Sequence, residues 1–240
     1  MNKSITLLIP ILLISGAAFA EDPVPTPESL WKASAELGYV ATSGNTKTQT
    51  LNAKAMVSTE REEWRHKLEA SALNASDNSV TTAEKYSLTG QSDYKLEKPN
   101  YLFGNIAYEN DKFSGYKYRV SEAIGYGRRV VDETGLTLDL EIGPGARQSK
   151  LDDGTTQSEA MARTAARLNW ALSDTSKFEE FLLVEAGEDV TVTKSVTSLS
   201  SQINGSLSMK VTYTYKTTSE VPVGIDDTDT ETAITLVYNF

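Results

Sequence analysis

The chain has 240 residues, 23 basic and 33 acidic, with one histidine, no cysteine and a formal net charge of −10. Lack of cysteine excludes disulfides, a lipoprotein anchor and thiol chemistry, and so acidic a chain without a basic cluster is unsuited to nucleic acid. No segment approaches about 18 consecutive apolar residues, which excludes a helical membrane protein; the negative mean hydropathy leaves a membrane β-barrel open, because such a barrel has a polar lumen face.

The N-terminus reads as an export signal. Lys3 is followed by an apolar run over Ile5–Ile14 and by Ala18-Phe19-Ala20 before Glu21, the order of a cleaved signal peptide. The run falls short of the roughly 20 residues a spanning helix needs. Residues 1–20 are therefore expected to be removed, with Ala18, Ala20 and Glu21 marking the cleavage. Residues 21–29 are proline-rich and read as an extended periplasmic lead-in. Residues 30–240 read as one domain.

That domain divides into about twelve alternating runs, each with the period of two expected of a β-strand. Trp31, Ala33, Ala35, Leu37 and Tyr39 oppose Lys32, Ser34, Glu36 and Gly38; Leu51, Ala53, Ala55 and Val57 oppose Asn52, Lys54 and Met56. Trp64, Leu68 and Ala70 oppose Arg65, Lys67 and Glu69, and Leu138, Leu140 and Ile142 oppose Asp139 and Glu141. Ala162, Ala166, Leu168 and Trp170 oppose Arg163 and Arg167, and Met209, Val211, Tyr213 and Tyr215 oppose Ser208, Lys210, Thr212 and Thr214. Three runs are less regular: Tyr116–Tyr126 places Glu122 on the apolar side, Lys177–Gly187 mixes its faces, and Val192–Gln202 is mostly Ser and Thr. Pro144 suggests a bulge or a strand end.

In a soluble sandwich the apolar parity would form the core; in a membrane barrel it would face lipid. Turns and aromatics favour the barrel. With a periplasmic N-terminus, the tight periplasmic turns fall at 59–62, 97–100, 131–135, 173–176 and Asn204-Gly205. The outer connections fall at 43–45, 75–82, 111–115, 150–157, near Glu188-Asp189 and at 217–228, several of them expected to be longer. This places Trp31, Trp64, Tyr94, Tyr126, Trp170 and Phe178, with Tyr101 and Phe240, at periplasmic strand ends, and Tyr39, Tyr108, Tyr116, Tyr118 and Tyr215 near the outer ends. Two such girdles suit the interfaces of a bilayer.

The last run ends on an aromatic residue, with Ile234, Leu236, Tyr238 and Phe240 sharing one parity. It resembles the C-terminal signal by which outer-membrane barrels are handed to their insertion machinery. The expected fold is all-β: an antiparallel, up-and-down transmembrane β-barrel in a Gram-negative outer membrane, whose partners are outer-membrane lipid, lipopolysaccharide and that machinery.

Several stretches carry a wider resemblance: SGNT at 43–46, YENDKFSG at 108–115, GYG at 125–127, EIGPGAR at 141–147, SDTSK at 173–177 and the terminal LVYNF. In this order and spacing the chain resembles the YdiY-like family of outer-membrane proteins described as salt-induced, whose function is not established. The resemblance covers essentially the whole expected mature chain. It implies a barrel, and a link to salt or osmotic conditions; it brings no catalytic residues.

His66 is the only histidine, so His/Cys zinc sites and two-histidine sites are excluded. Serine–histidine catalysis would have to use it, on the apolar parity beside Trp64 and Leu68, and no GxSxG-like elbow accompanies it. A lipid-active barrel enzyme using His66 is one alternative function; a soluble periplasmic ligand-binding barrel is another. The acidic turns Asp152-Asp153-Gly154 and Asp226–Asp229 read as hydrated turns, and no cofactor or metal site is expected. The inward parity offers Lys54, Arg65, Lys67, Glu69, Arg119, Asp139, Glu141, Arg147, Arg163, Arg167 and Lys210. These charges would either line a narrow conducting lumen or pair into a network that fills a closed barrel, and a small or partly occluded passage is the preferred reading.

Overall fold

Alternation kept over runs of 11 to 18 residues builds twelve strands in a computed structural model that describes residues 30–41 and 48–240. The strands are β1 (Trp31–Ala41), β2 (Thr48–Glu60), β3 (Trp64–Asp77), β4 (Val80–Lys95), β5 (Asn100–Asp111) and β6 (Tyr116–Glu133), then β7 (Leu136–Leu151), β8 (Thr156–Ala171), β9 (Ser176–Gly187), β10 (Thr191–Gln202), β11 (Leu207–Thr218) and β12 (Thr228–Asn239). Each pairs antiparallel with its sequence neighbours. β1 closes on β12, so the sheet has no free edge, which removes the unpaired amides and carbonyls that an open sheet would expose. Leu37 lies opposite Leu236 and Ala35 opposite Tyr238 at the seam, and the Phe240 amide donates to the Ala33 carbonyl at 2.9 Å. The signal-peptide and lead-in segments and the connection at Ser43–Asn45 lie outside the described residues.

The burial pattern is inverted relative to a water-soluble domain. Leu37, Ile124 and Ile234 are 57, 68 and 59% exposed, while Arg147, Arg163 and Asp139 are only 2, 2 and 3% exposed. Large apolar patches on a soluble monomer are rare, and isolated buried charges are costly unless paired. A barrel with hydrocarbon outside and paired ions inside satisfies both constraints at once.

The tight turns at the end where β1 begins and β12 finishes agree with the sequence reading. At the other end the connections are shorter than expected. Asp77 still pairs with Val80, and Asn78 and Ser79, with φ of 48° and 68°, form the left-handed two-residue turn that suits the twist of a hairpin. Residues 152–155 likewise make a tight turn, closed by a Leu151 amide bond to the Thr155 carbonyl at 2.9 Å. Among the described connections at this end, the β11–β12 segment, residues 219–227, is the long one.

Pro144 does not end a strand. β7 runs through it, and the β6–β7 ladder keeps its register from Ala123–Gly145 to Tyr126–Ile142 while leaving the intervening residues unpaired. The glycine-flanked segments explain this local closeness: a side chain at Gly125 would stand 2.7 Å from the Gly143 Cα.

The irregular β9 and β10 also acquire definite faces. Phe178, Leu182 and Val184 point outward, and Phe181 and Leu183 inward. Glu180 is on the outside, where Ser195 Oγ and Thr197 Oγ1 donate to its carboxylate at 2.7 and 2.5 Å. The hydroxyl-rich tenth strand thus solvates a carboxylate on its neighbour. Glu122 on β6 is exposed on the same outer face.

Candidate functional site

The lumen wall contributed by β3–β8 carries a continuous ionic cluster. Arg65 Nε lies 2.7 Å from Asp93 and its Nη1 3.5 Å from Asp139. Arg129 grips Asp139 with two bonds of 2.8 and 3.1 Å. Gln91 spans Asp93 at 2.9 Å and Glu141 at 2.8 Å, and Glu141 also takes Arg163 at 2.8 Å and Arg167 at 3.7 Å. Charge-assisted bonds of this geometry are roughly twice as strong as neutral ones, and each buried ion here has an opposite partner.

Two aromatic rings lie against this wall. Tyr101 and Phe103 are buried, with the Arg65 guanidinium 5.0 Å from the Tyr101 ring and that of Arg163 5.1 Å from the Phe103 ring. Tyr101, expected among the lipid-facing aromatics at the periplasmic strand ends, points inward instead and donates to Glu141 at 3.2 Å. Gly127 and Gly125 on β6 make room for the two rings; a Cβ at Gly127 would overlap Tyr101, and one at Gly125 would sit 2.8 Å from Phe103. Tyr116, expected near the outer ends of the strands with its ring toward lipid, is likewise buried inside, 4.3 Å beneath the Arg119 guanidinium.

Nearer the other end, Arg147 binds Glu159 at 2.7 Å, faces Glu185 at 3.7 Å and donates to the Val190 carbonyl. Lys54 and Lys67 share Glu69 at 2.8 and 3.2 Å, and Lys210 takes Glu36 at 3.1 Å. One pair crosses the barrel. Lys216 on β11 meets Glu109 on β5 at 2.5 Å, and these strands stand opposite each other in the ring of twelve. Lys85 supports Glu109 at 3.4 Å and Asp111 at 3.6 Å. Beyond this bar, the 219–227 connection reaches across the mouth: Pro222 and Ile225 pack against Gly115 in the β5–β6 turn.

All eleven lumen charges picked out in the sequence face inward, and the six girdle aromatics Trp31, Trp64, Tyr94, Tyr126, Trp170 and Phe178 face outward. Lys85, Asp93, Glu109, Arg129, Glu159, Glu185, Lys194 and Lys216 were not singled out. Their signal is parity, visible once each strand is extended to its true ends. The open space, about 780 Å³, is lined by inner faces of every strand except β7, with charged groups such as Lys54, Glu69, Lys194 and Lys216 interleaved with hydroxyls such as Ser198, Thr212 and Thr214. The lumen is therefore filled unevenly: the β7 wall is covered by the ionic cluster and the Tyr101 and Phe103 rings, and the space left open has a mixed wall of ions and hydroxyls.

His66 lies outside, stacked on Trp64 at 5.5 Å, with its Nδ1 2.8 Å from Ser92 Oγ. Among the described residues no hydrogen bond engages its other ring nitrogen. Backbone amides of the surrounding strands are committed to the ladder, and among the described residues none offers the orienting group or the oxyanion donors that serine catalysis uses.

Residues 35–240 match the family model described as "Protein of unknown function, DUF481". "Uncharacterized protein YdiY" of Escherichia coli (strain K12) is 32% identical over 203 residues, covering 84% of this chain and 80% of that protein. Among solved structures, a NanC porin superposes with a TM-score of 0.52 at 11% identity, covering 86% of this chain and 98% of that one. An outer-membrane channel from Pseudomonas putida F1 gives 0.51 at 9% identity, covering 93% and 100%. At these identities the likeness to both is one of fold: an outer-membrane β-barrel.

Proposed function

The chain belongs to the family described as proteins of unknown function, DUF481, and we propose that it is an integral outer-membrane barrel with a narrow, barred passage for small solutes or ions. The observation that carries this reading is the asymmetry of the lumen. Paired ions and two aromatic rings close the β7 side, a space of about 780 Å³ with a mixed wall of charged groups and hydroxyls remains beside them, and among the described residues one cross-barrel pair, Lys216–Glu109, spans it. Twelve strands enclose a bore between the side-chain-filled eight-stranded barrels and the open sixteen-stranded porins. That geometry supports a small conductance.

The exterior argues against a soluble ligand-binding barrel. A continuous belt of exposed Leu, Ile, Tyr and Trp side chains would drive aggregation in water, but matches hydrocarbon with aromatic ends. Insertion through the C-terminal Ile234, Leu236, Tyr238 and Phe240, contact with lipopolysaccharide, removal of residues 1–20 and a link to salt belong to the same proposal. Membrane fractionation with a heat-modifiable electrophoretic shift tests the location, and single-channel recording in planar bilayers tests the passage. Discrete low-conductance steps support a channel; a correctly inserted barrel without any steps would reassign the lumen to a structural network.

A further inference from the structure

The outer wall of β3–β7 contains a shallow groove of about 1050 Å³ that the passage does not involve. Its floor is Gly90 and Gly104, and its apolar walls are Leu68, Ile106 and Ile124. Glycine in a strand interior weakens the strand and needs a reason. Gly125 and Gly127 have an internal one, the Phe103 and Tyr101 rings. Gly90 and Gly104 do not: a Cβ at Gly104 would meet nothing within 4 Å, and one at Gly90 would make only ordinary contacts at 3.6 and 3.8 Å. The bare backbone is therefore explained by something approaching from outside.

Polar groups occur at one end of this groove. His66 and Ser92 form their 2.8 Å bond there, two residues inward from the paired girdle residues Trp64 and Tyr94, whose rings lie 5.0 Å apart. That is the depth at which a bilayer changes from hydrocarbon to ester and headgroup. When Ser92 donates to Nδ1, the imidazole carries its proton on Nε2, which is then a donor with no partner among the described residues.

We propose that this groove is a seat for one phospholipid of the leaflet at the Trp64 end of the barrel, with an acyl chain lying over Gly90 and Gly104 and an ester or phosphate oxygen accepting from His66. The inference rests on the membrane-barrel reading. Continuity with the surrounding lipid-facing wall identifies the occupant: a hydrocarbon chain fills a glycine-floored trough between aliphatic side chains, and the polar pair sits where the lipid has oxygen. Glu122 bounds the far end of the groove, so the seat takes the chain segment nearest the ester.

The test uses the full mature protein reconstituted in vesicles of phosphatidylethanolamine and phosphatidylglycerol, extracted into detergent and weighed by native mass spectrometry. The wild type should retain phospholipid at one molecule per barrel. Gly104→Leu builds from a position where a Cβ meets nothing within 4 Å, and should fold with an unchanged heat-modifiable shift while retaining about tenfold less phospholipid, a loss near 1.4 kcal/mol; His66→Ala should weaken retention less. A barrel that inserts but retains no lipid, or retains it equally with and without Gly104→Leu, overturns the proposal. A chain that fails to insert overturns the membrane reading and the seat with it.

Discussion

The Lys216 ammonium on β11 and the Glu109 carboxylate on β5 meet at 2.5 Å across the full width of the barrel. Two side chains from opposite walls reach each other only because the bore is about as wide as the pair is long. The bond both braces the cylinder and obstructs it. Removing both partners together, as Lys216→Ser with Glu109→Ser, avoids leaving one buried charge unpaired. Unit conductance should rise by about twofold or more as the bar disappears, read by single-channel recording; unchanged conductance would move the restriction to another level of the lumen.

Arg163 and Glu141 are buried against each other at 2.8 Å. Arg163→Met leaves Glu141 with Gln91, Tyr101 and the more distant Arg167, and should destabilise the barrel by about 3–5 kcal/mol. Combining it with Glu141→Gln should recover part of that loss. Urea unfolding in lipid vesicles measures both, and equal stability of the single variant and wild type would show that lumen water, rather than the pair, solvates these charges.

Inward and outward glycines should respond oppositely. Gly127→Ala drives a methyl group into the Tyr101 ring and should cost about 1–3 kcal/mol through forced repacking. Gly104→Ala meets no internal atom and should be neutral or slightly stabilising by the same unfolding assay.

Glu122 sits on the outer face between Tyr118 and Tyr126, and unlike Glu180 it has no neighbouring hydroxyl bonded to it among the described residues. A carboxylate in the lipid-facing band costs less than the roughly 2–4 kcal/mol of a lysine or arginine at the midplane. Glu122→Leu should therefore raise unfolding stability by up to about 2 kcal/mol. A loss of stability instead would reveal a partner at that carboxylate.

Much of this architecture is legible in the sequence because the period of two survives even where composition is misleading. Leu136, Leu138 and Leu140 opposite Asp139 and Glu141 identify both the strand and its inner face, and the run from Ile234 to Phe240 marks the closing strand. Three kinds of feature escape. Tyr101 and Tyr116 belong inside although aromatic residues near strand ends suit the girdle, because glycines on the neighbouring β6 clear a place for one and the register shift at Tyr116–Tyr118 turns the other inward beneath Arg119; strict alternation encodes neither. The outer turns are tighter than the polar stretches at 75–82 and 150–157 suggest, since hydrogen bonding continues through Ser76, Asp77 and Val80 regardless of polarity. The cross-barrel pairing of Lys216 with Glu109 depends on ring closure, which local alternation does not encode.

The central claim is that the apolar parity touches hydrocarbon. Because the chain has no cysteine, a single Leu37→Cys variant can carry one nitroxide label at a position 57% exposed on the outer face. In a barrel reconstituted into vesicles, electron paramagnetic resonance should show strong relaxation by oxygen, which concentrates in lipid, and weak relaxation by a water-soluble nickel chelate. Strong nickel relaxation at that site in the inserted protein would place Leu37 in water and contradict the account.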